Sequence, residues 1–419
     1  MTDSVYASLN HLACRARMVL DSNILPFWKQ QVFDEESQLF AGYVNQRGDA
    51  DLNYPLHTVL LTRMLWAYSA VYEQNKDAAC LALAHAAYKT LLQSFKDQDF
   101  GGFYYSVRQN SYPLVMQKRT FAQAFSIIAL ARYARATNSS EALSEAKELN
   151  RLLLLHAQTE NGGFTDTLSR DWRDEKDEHI WWMNNQGSMF IYNSQLHMLE
   201  AAIEIEEASP SEEGKQQLKA QIAFILEKFF LPSSNHLIVS LSDHHHADDT
   251  TVSFSNELET AYLLRRAATL AGEQDRVDQI CTTLVRKVLN LALDEVHGGL
   301  FFSYHEQNGL NRCKVWYVHA EAIVALLDAF ESSRDLFFLT KACTVWEYIE
   351  KHLVDWDGGE WFASAKNPYT DMVSIQQQEA RDQRTGKEKA SAYKCPYHTV
   401  RVCLEIEKRV SRLKTTFIS

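Results

Sequence analysis

The residues with chemistry to offer are histidines, carboxylates and arginines set at helical spacing. His398 and Arg401 lie three apart in the stretch 392–405, AYKCPYHTVRVCLE, behind Pro396 and ahead of the apolar series Val402, Leu404, Ile406. Residues three apart share a helix face, so one helix end presents an imidazole and a guanidinium together. Similar sets recur upstream. Asn193, His197 and Glu200 fall at i, i+4 and i+7; Asn256 and Glu259 are three apart; Trp316, His319 and Glu321 sit together in KVWYVHAEA. Arg63 interrupts the apolar run TRMLWAYS, and a charge on an inner face needs a partner or a ligand. Such a set suits proton transfer next to a carbonyl. Histidine titrates near neutrality, as a proton shuttle needs, and an arginine with a second polar group can hold the oxygen that gains charge in an enediolate. Trp316 offers a surface on which a sugar ring can stack.

Each of these residues also has a plainer reading. Arg63 fits a structural ion pair, His197 a core histidine capped by Glu200, Asn256 a helix cap, and Trp316 core filling. His197 and Glu200 form an HxxE, but no HExxH accompanies them and two ligands are too few for a metal centre. The tract His244, His245, His246, Asp248, Asp249 reads as a solvated loop. No serine elbow and no phosphate-cradling glycine loop is present. Neither a metal nor another cofactor is expected.

The elements that must position these side chains repeat. An aromatic or apolar turn around glycine recurs about every 60 residues, at a period typical of repeat architectures: FAGY at 40–43, FGGFYY at 100–105, NGGFTD at 161–166, HGGLFFS at 297–303 and DGGEWF at 357–362. NHLIVSLS at 235–242 takes the same place without glycine. One helical stretch precedes each turn and another follows it, with apolar residues at i, i+3, i+4 and i+7. The turns read as short hairpins. Six such pairs predict an all-α protein, an (α/α)6 barrel spanning 1–419 as a single domain, with the more apolar post-turn helices inside. Their starts, which carry the polar pairs, would then share one mouth around a sugar-sized pocket. An open solenoid is the competing arrangement. Two long insertions, 165–183 and 364–391, are expected to hang over that mouth as functional loops.

Composition narrows the partners. With 46% apolar residues and nine Trp among 419, the chain can fill a large core. A net charge of −12 argues against tracking nucleic-acid phosphates. No stretch has the length and apolarity of a membrane span, and no basic leader precedes an apolar run. The seven cysteines are scattered without a CxxC, which suits reduced thiols in the cytoplasm. The expected partner is a small-molecule sugar, the protein acting as a monomer or homodimer with neither membrane nor nucleic acid involved.

Beyond residue types, the chain resembles the N-acylglucosamine 2-epimerase superfamily, which includes mannose isomerases, sulfoquinovose isomerases and cellobiose 2-epimerases. The resemblance runs over essentially the whole chain and is carried by 62–72, 121–137, 193–201, 257–264, 315–327 and 393–401 (TRMLWAYSAVY, FAQAFSIIALARYARAT, NSQLHMLEA, ELETAYLL, VWYVHAEAIVALL, YKCPYHTVR). It implies a metal-free (α/α)6 enzyme. It also implies that Arg63, Asn193, His197, Glu259 and His398 bind the sugar or move its protons, with His398 as the base. One position departs: the family has a second catalytic histidine in Gly-His-x-x-Glu, where this chain has Ser255, Asn256, Glu257, Leu258, Glu259. Asn takes no proton at neutral pH. Inversion at C2 ordinarily uses two proton-handling groups, whereas one base can carry a proton between C2 and C1.

The expectation is therefore an aldose–ketose isomerase of the mannose–fructose type. His398, Glu259 and His197 are its catalytic candidates; Arg63, Asn193, Asn256, Trp316, His319, Glu321 and Arg401 are its substrate-binding candidates. The alternatives are a 2-epimerase of hexoses or N-acylhexosamines, a glycoside hydrolase on the same fold using two carboxylates, and an inactive sugar-binding protein.

Overall fold

A computed structural model describes residues 3–173, 190–242, 251–366, 368–369 and 387–418. Its contacts group into two units. The first comprises Met1–Asp51, Ser253–Tyr262 and Cys281–Ser419; the second comprises Leu52–Val252 and Leu263–Ile280.

The helices in chain order are α1 (Asp3–Val19), α2 (Leu25–Gln30), α3 (Thr58–Asn75), α4 (Ala78–Thr90), α5 (Thr120–Thr137), α6 (Ser140–His156), α7 (Tyr192–Ala208), α8 (Glu212–Phe224), α9 (Phe254–Ala271), α10 (Gln274–Ala292), α11 (Trp316–Ser333), α12 (Leu336–His352) and α13 (Pro396–Ile418). They alternate in character. In α3 every residue from Thr58 to Val71 is buried, and in α11 every residue from Val318 to Phe330. A helix apolar all round is one surrounded by protein. By contrast α4, α6, α8 and α12 each bury one stripe. These amphipathic helices begin with side-chain caps, from Asp77, Ser139, Ser211 and Asp335, which satisfy backbone N–H groups left over at a helix start.

The enclosed helices start differently. The first N–H of α3 goes to Tyr105 O, that of α5 to Asp166 O, that of α7 to Val239 O and that of α11 to Ala363 O. Each acceptor lies in the following repeat. Repeat six is tied to repeat one by a bond of the opposite sense, from Val44 N in the turn of repeat one to Ala390 O at 2.9 Å.

Every repeat closes its turn with one antiparallel pair, seven positions apart in five repeats and six apart in the third. Antiparallel pairing joins Phe33 to Phe40, Lys96 to Phe103, Gln158 to Phe164, Phe230 to Leu237, Leu293 to Leu300 and Val354 to Trp361. The turns demand unusual backbone. Gly102 and Gly299 have φ of +66° and +72°, and a Cβ on Gly299 would lie 2.6 Å from the Tyr348 ring. In the repeat without glycine, Asn235 takes the left-handed conformation at φ 55°, which asparagine tolerates best among the side-chain-bearing residues.

Buried ion pairs lash these turns to the next helix. Asp97 accepts the N–H groups of Asp99 and Phe100 and pairs with Lys118, two residues ahead of α5. Asp294 does the same with Val296, His297 and Lys314 ahead of α11, and Asp355 with Asp357, Gly358 and Lys389. The pairing lysine makes it affordable to bury a carboxylate inside a turn.

Candidate active site

Four of the expected residues meet in the first unit. α13 contributes His398 and Arg401, α11 contributes Glu321 and α9 contributes Glu259. His398 Nδ1 is 2.6 Å from Glu321 Oε1. Arg401 Nη2 is 2.6 Å from the same oxygen, 2.5 Å from Glu259 Oε1 and 3.4 Å from His398 Nδ1. All four side chains are buried, none more than 7% exposed. A carboxylate only accepts, so the proton on the short contact is assigned to Nδ1 and the basic lone pair to Nε2. Burial tends to discharge Arg401, but Glu321, Tyr262, Tyr397 and Glu259 together hold its pKa well above the ordinary value. Two carboxylates against one guanidinium leave a unit of negative charge, which a proton taken up by His398 neutralises. The arrangement fits an imidazole that accepts a proton from substrate.

Three tyrosines that sequence reasoning passed over complete this cluster. Tyr262 donates its hydroxyl to Glu321 Oε2 at 2.7 Å. Arg401 donates to Tyr397 Oη at 2.6 Å and lies 4.2 Å over that ring. The Tyr317 ring is 5.5 Å from that of His398, tilted by 32°. Spacing carried a signal for all three: Tyr262 is three residues beyond Glu259, Tyr317 four ahead of Glu321 and Tyr397 four ahead of Arg401, each pair sharing a helix face.

Glu259, Glu321 and His398 also bring three potential ligand atoms within 4.8 Å of one another. Arg401 Nη2 touches both carboxylates at that point, and a guanidinium there repels a divalent cation.

His319 does not fit the expected role in sugar binding. It is fully buried, its Nδ1 donates to Val315 O at 2.8 Å and its Nε2 accepts from Leu300 N–H at 2.9 Å. Burial pulls its pKa down to about 4, so it is a neutral histidine whose two nitrogens are both committed to backbone. Gln123 and Gln195 do the same work in their repeats, gripping the N–H and C=O of Phe103 and Phe164. Trp316, the expected stacking surface, opens α11. It packs edge-on against Tyr317 with Lys394 Nζ 5.2 Å over its ring, while the aromatic beside His398 is Tyr317. Asn256 is half-buried at the start of α9, one turn ahead of Glu259.

In the second unit Arg63 and His197 share two aromatic neighbours, Phe121 and Phe125. The Arg63 guanidinium lies 4.1 Å over the Phe125 ring and 5.6 Å from that of Phe121. His197 packs 4.4 Å from Phe125, and its Nδ1 is 3.0 Å from Glu200 Oε2. The His197–Glu200 contact of the plainer reading is therefore present. Asn193 is half-buried at the second position of α7. The His244–His246 tract and most of the two insertions fall outside the described residues. Of the insertions' described parts, Arg170 pairs with Asp97 and Asp99, and the Tyr369 hydroxyl reaches Asp294.

Known proteins resemble this chain along nearly all of its length. The profile of the N-acylglucosamine 2-epimerase family matches residues 40–378. A cellobiose 2-epimerase of Ruminococcus albus is 28% identical over 394 residues, 94% of this chain and 97% of that protein. A D-mannose isomerase of Marinomonas mediterranea is 20% identical, over 96% of this chain and the whole of that one. The solved cellobiose 2-epimerase of Bacillus thermoamylovorans superposes with a TM-score of 0.87 at 28% identity, covering 96% of this chain and 100% of that one. These likenesses establish the fold class expected from the repeats, an all-α (α/α)6 barrel. No described helix is long and apolar enough to cross a membrane.

Proposed function

The chain belongs to the N-acylglucosamine 2-epimerase family, a family of sugar epimerases and isomerases, and we propose that it acts at C2 of a free reducing sugar through an enediolate, with His398 as the base. The observation that carries this reading is the clamp on His398: Glu321 holds the Nδ1 proton and so presents Nε2 as the accepting nitrogen. Lifting the C2 proton makes an imidazolium, which the two buried carboxylates stabilise.

The overall reaction proposed is 2-epimerisation. Its support is the similarity to cellobiose 2-epimerases, which also extends the substrate class to reducing disaccharides. A single imidazole can serve both faces of the intermediate if the enediolate turns about C2–C3 between the two transfers. The second reading is aldose–ketose isomerisation of the mannose–fructose type, favoured by Asn256 in the position where the family carries a second histidine. For Arg63, Asn193 and His197 we carry forward contact with sugar oxygens, on the strength of the family resemblance. The hydrolase reading has less behind it: Glu259 and Glu321 share one arginine nitrogen, whereas glycosidase carboxylates flank a bond about 5–10 Å apart with one of them protonated.

Incubation with cellobiose, glucose and mannose in D2O, followed by NMR, tests the proposal. A 2-epimer with hydrogen exchange or internal return at C2 is the expected result. A ketose selects the second reading. No product and no exchange with any reducing sugar refutes both, and ligand-induced stabilisation without turnover would then indicate a binding protein.

A further inference from the structure

Glu321 uses both of its oxygens. Oε1 serves His398 and Arg401, and Oε2 receives the Tyr262 hydroxyl at 2.7 Å. Tyr262 is 4% exposed and follows Glu259 by one turn on α9. One helix thus supplies a carboxylate to Arg401 and a hydroxyl to Glu321. Burial, outweighing the nearby Arg401 charge, pushes the phenol well above its ordinary pKa, so it is a proton donor throughout the working range of an enzyme. A phenol has one proton to give, and here it goes to Glu321.

We propose that Tyr262 is a positioning residue for proton transfer: its hydroxyl, by bonding Glu321, sets how tightly that carboxylate holds the Nδ1 proton of His398 and hence the pH at which the base becomes available. This rests on the proposed role of His398. A carboxylate that accepts a donor on one oxygen has less charge to offer on the other. Removing the donor leaves a buried oxygen unsatisfied and raises the cluster's affinity for a proton, whichever member carries it. Among the described residues of this unit, the groups placed against His398 include Glu321 and Tyr317 from α11, Glu259 from α9, and Tyr397 and Arg401 from its own helix, with Tyr262 of α9 behind Glu321. Replacing Tyr262 by Phe alters none of the charges, so the sign of the effect follows from the lost hydrogen bond alone.

The test is the pH profile of kcat/KM for the wild type and Tyr262→Phe. The acid limb should move up by about half to one pH unit, a fraction of the worth of one hydrogen bond to a charged acceptor expressed as proton affinity. In a Glu321→Gln background the same change should move it by less than about 0.2 unit, because the charge being tuned is gone. Should the Phe variant fold poorly, 3-fluorotyrosine at position 262 makes a stronger donor without deleting it, and the limb should move down. Heteronuclear NMR titration of the His398 ring reads the same coupling with no turnover needed. A protein inert towards sugars whose His398 titration still responds to position 262 would sink the proposed reaction and leave the coupling intact. An acid limb and a His398 titration both unmoved by Tyr262→Phe, with only the melting temperature changed, would make Tyr262 core filling and overturn the inference.

Discussion

Glu321→Gln is the perturbation that bears hardest on the site. The amide keeps the shape of the side chain and can still accept from His398 Nδ1, but it removes the negative charge 2.6 Å from that nitrogen. Arg401 stays, with Nη2 3.4 Å from Nδ1, now balanced by Glu259 alone. Hydrogen bonds to a charged partner contribute about 1.5–3 kcal/mol. Bare Coulomb attraction at about 4 Å and an effective dielectric constant near 20 gives about 4 kcal/mol. Because Arg401 shares Glu321 Oε1, the smaller range applies. It corresponds to a fall in kcat/KM of about 10- to 150-fold. The imidazolium formed in the reaction is destabilised as well, so the acid limb of the profile should move to lower pH by about one unit or more. The assay is initial rates between pH 5 and 9 on the sugar that the D2O survey identifies, with KM and kcat separated. Glu321→Gln with less than about threefold loss, or with its acid limb moving upward, would contradict the assignment of Glu321 as the group that holds His398.

His398→Gln should suppress exchange of the C2 hydrogen with D2O by about 10²- to 10⁴-fold, the usual worth of a positioned general base, and unchanged exchange would remove His398 from the mechanism. Dialysis against EDTA should leave turnover intact because Arg401 Nη2 occupies the point between Glu259 and Glu321; loss of activity that is restored by one divalent metal would oppose this. Lys314→Met strands Asp294, which is 3% exposed, and should lower unfolding free energy by about 3–5 kcal/mol in urea titrations. Burial pushes the Asp294 carboxyl up, but Lys314, His297 N–H, the Tyr369 hydroxyl and Val296 N–H outweigh it and hold it at about 2 against an ordinary 3.8. Its contribution is therefore complete above the ordinary value and lost as pH falls towards 2, and Asp294→Asn should flatten the stability curve in that window. Gly299→Ala, at φ +72° with its Cβ 2.6 Å from Tyr348, should cost about 2 kcal/mol or more, read as a lower melting temperature.

Some of the site was legible because helical geometry is local. His398 and Arg401 had to share a face, as had Asn256 with Glu259, since 3.6 residues make a turn whatever surrounds it. The turns were legible too, because glycines at positive φ leave a mark in the sequence, and even the glycine-free turn has Asn235 in the left-handed region. For His319 the informative signal is its repeat register. Counted from the start of its helix it is the fourth residue, as are Gln123 and Gln195, which grip the turn backbone in their own repeats. A polar residue at that recurring position was the available signal for a structural role.

From the order of its residues alone, this protein's period, its six pairs of helices and the faces of those helices follow, because each depends on neighbours a few positions away. Tertiary structure alone decided which face meets which. Glu321 reaches His398 across 77 positions and Glu259 reaches Arg401 across 142. Tyr262 spends its hydroxyl on a carboxylate 59 positions away. Such pairings are set by how enclosed helices pack side by side, and it is this packing that turns Glu321 from one more polar residue near a helix start into the partner of the base.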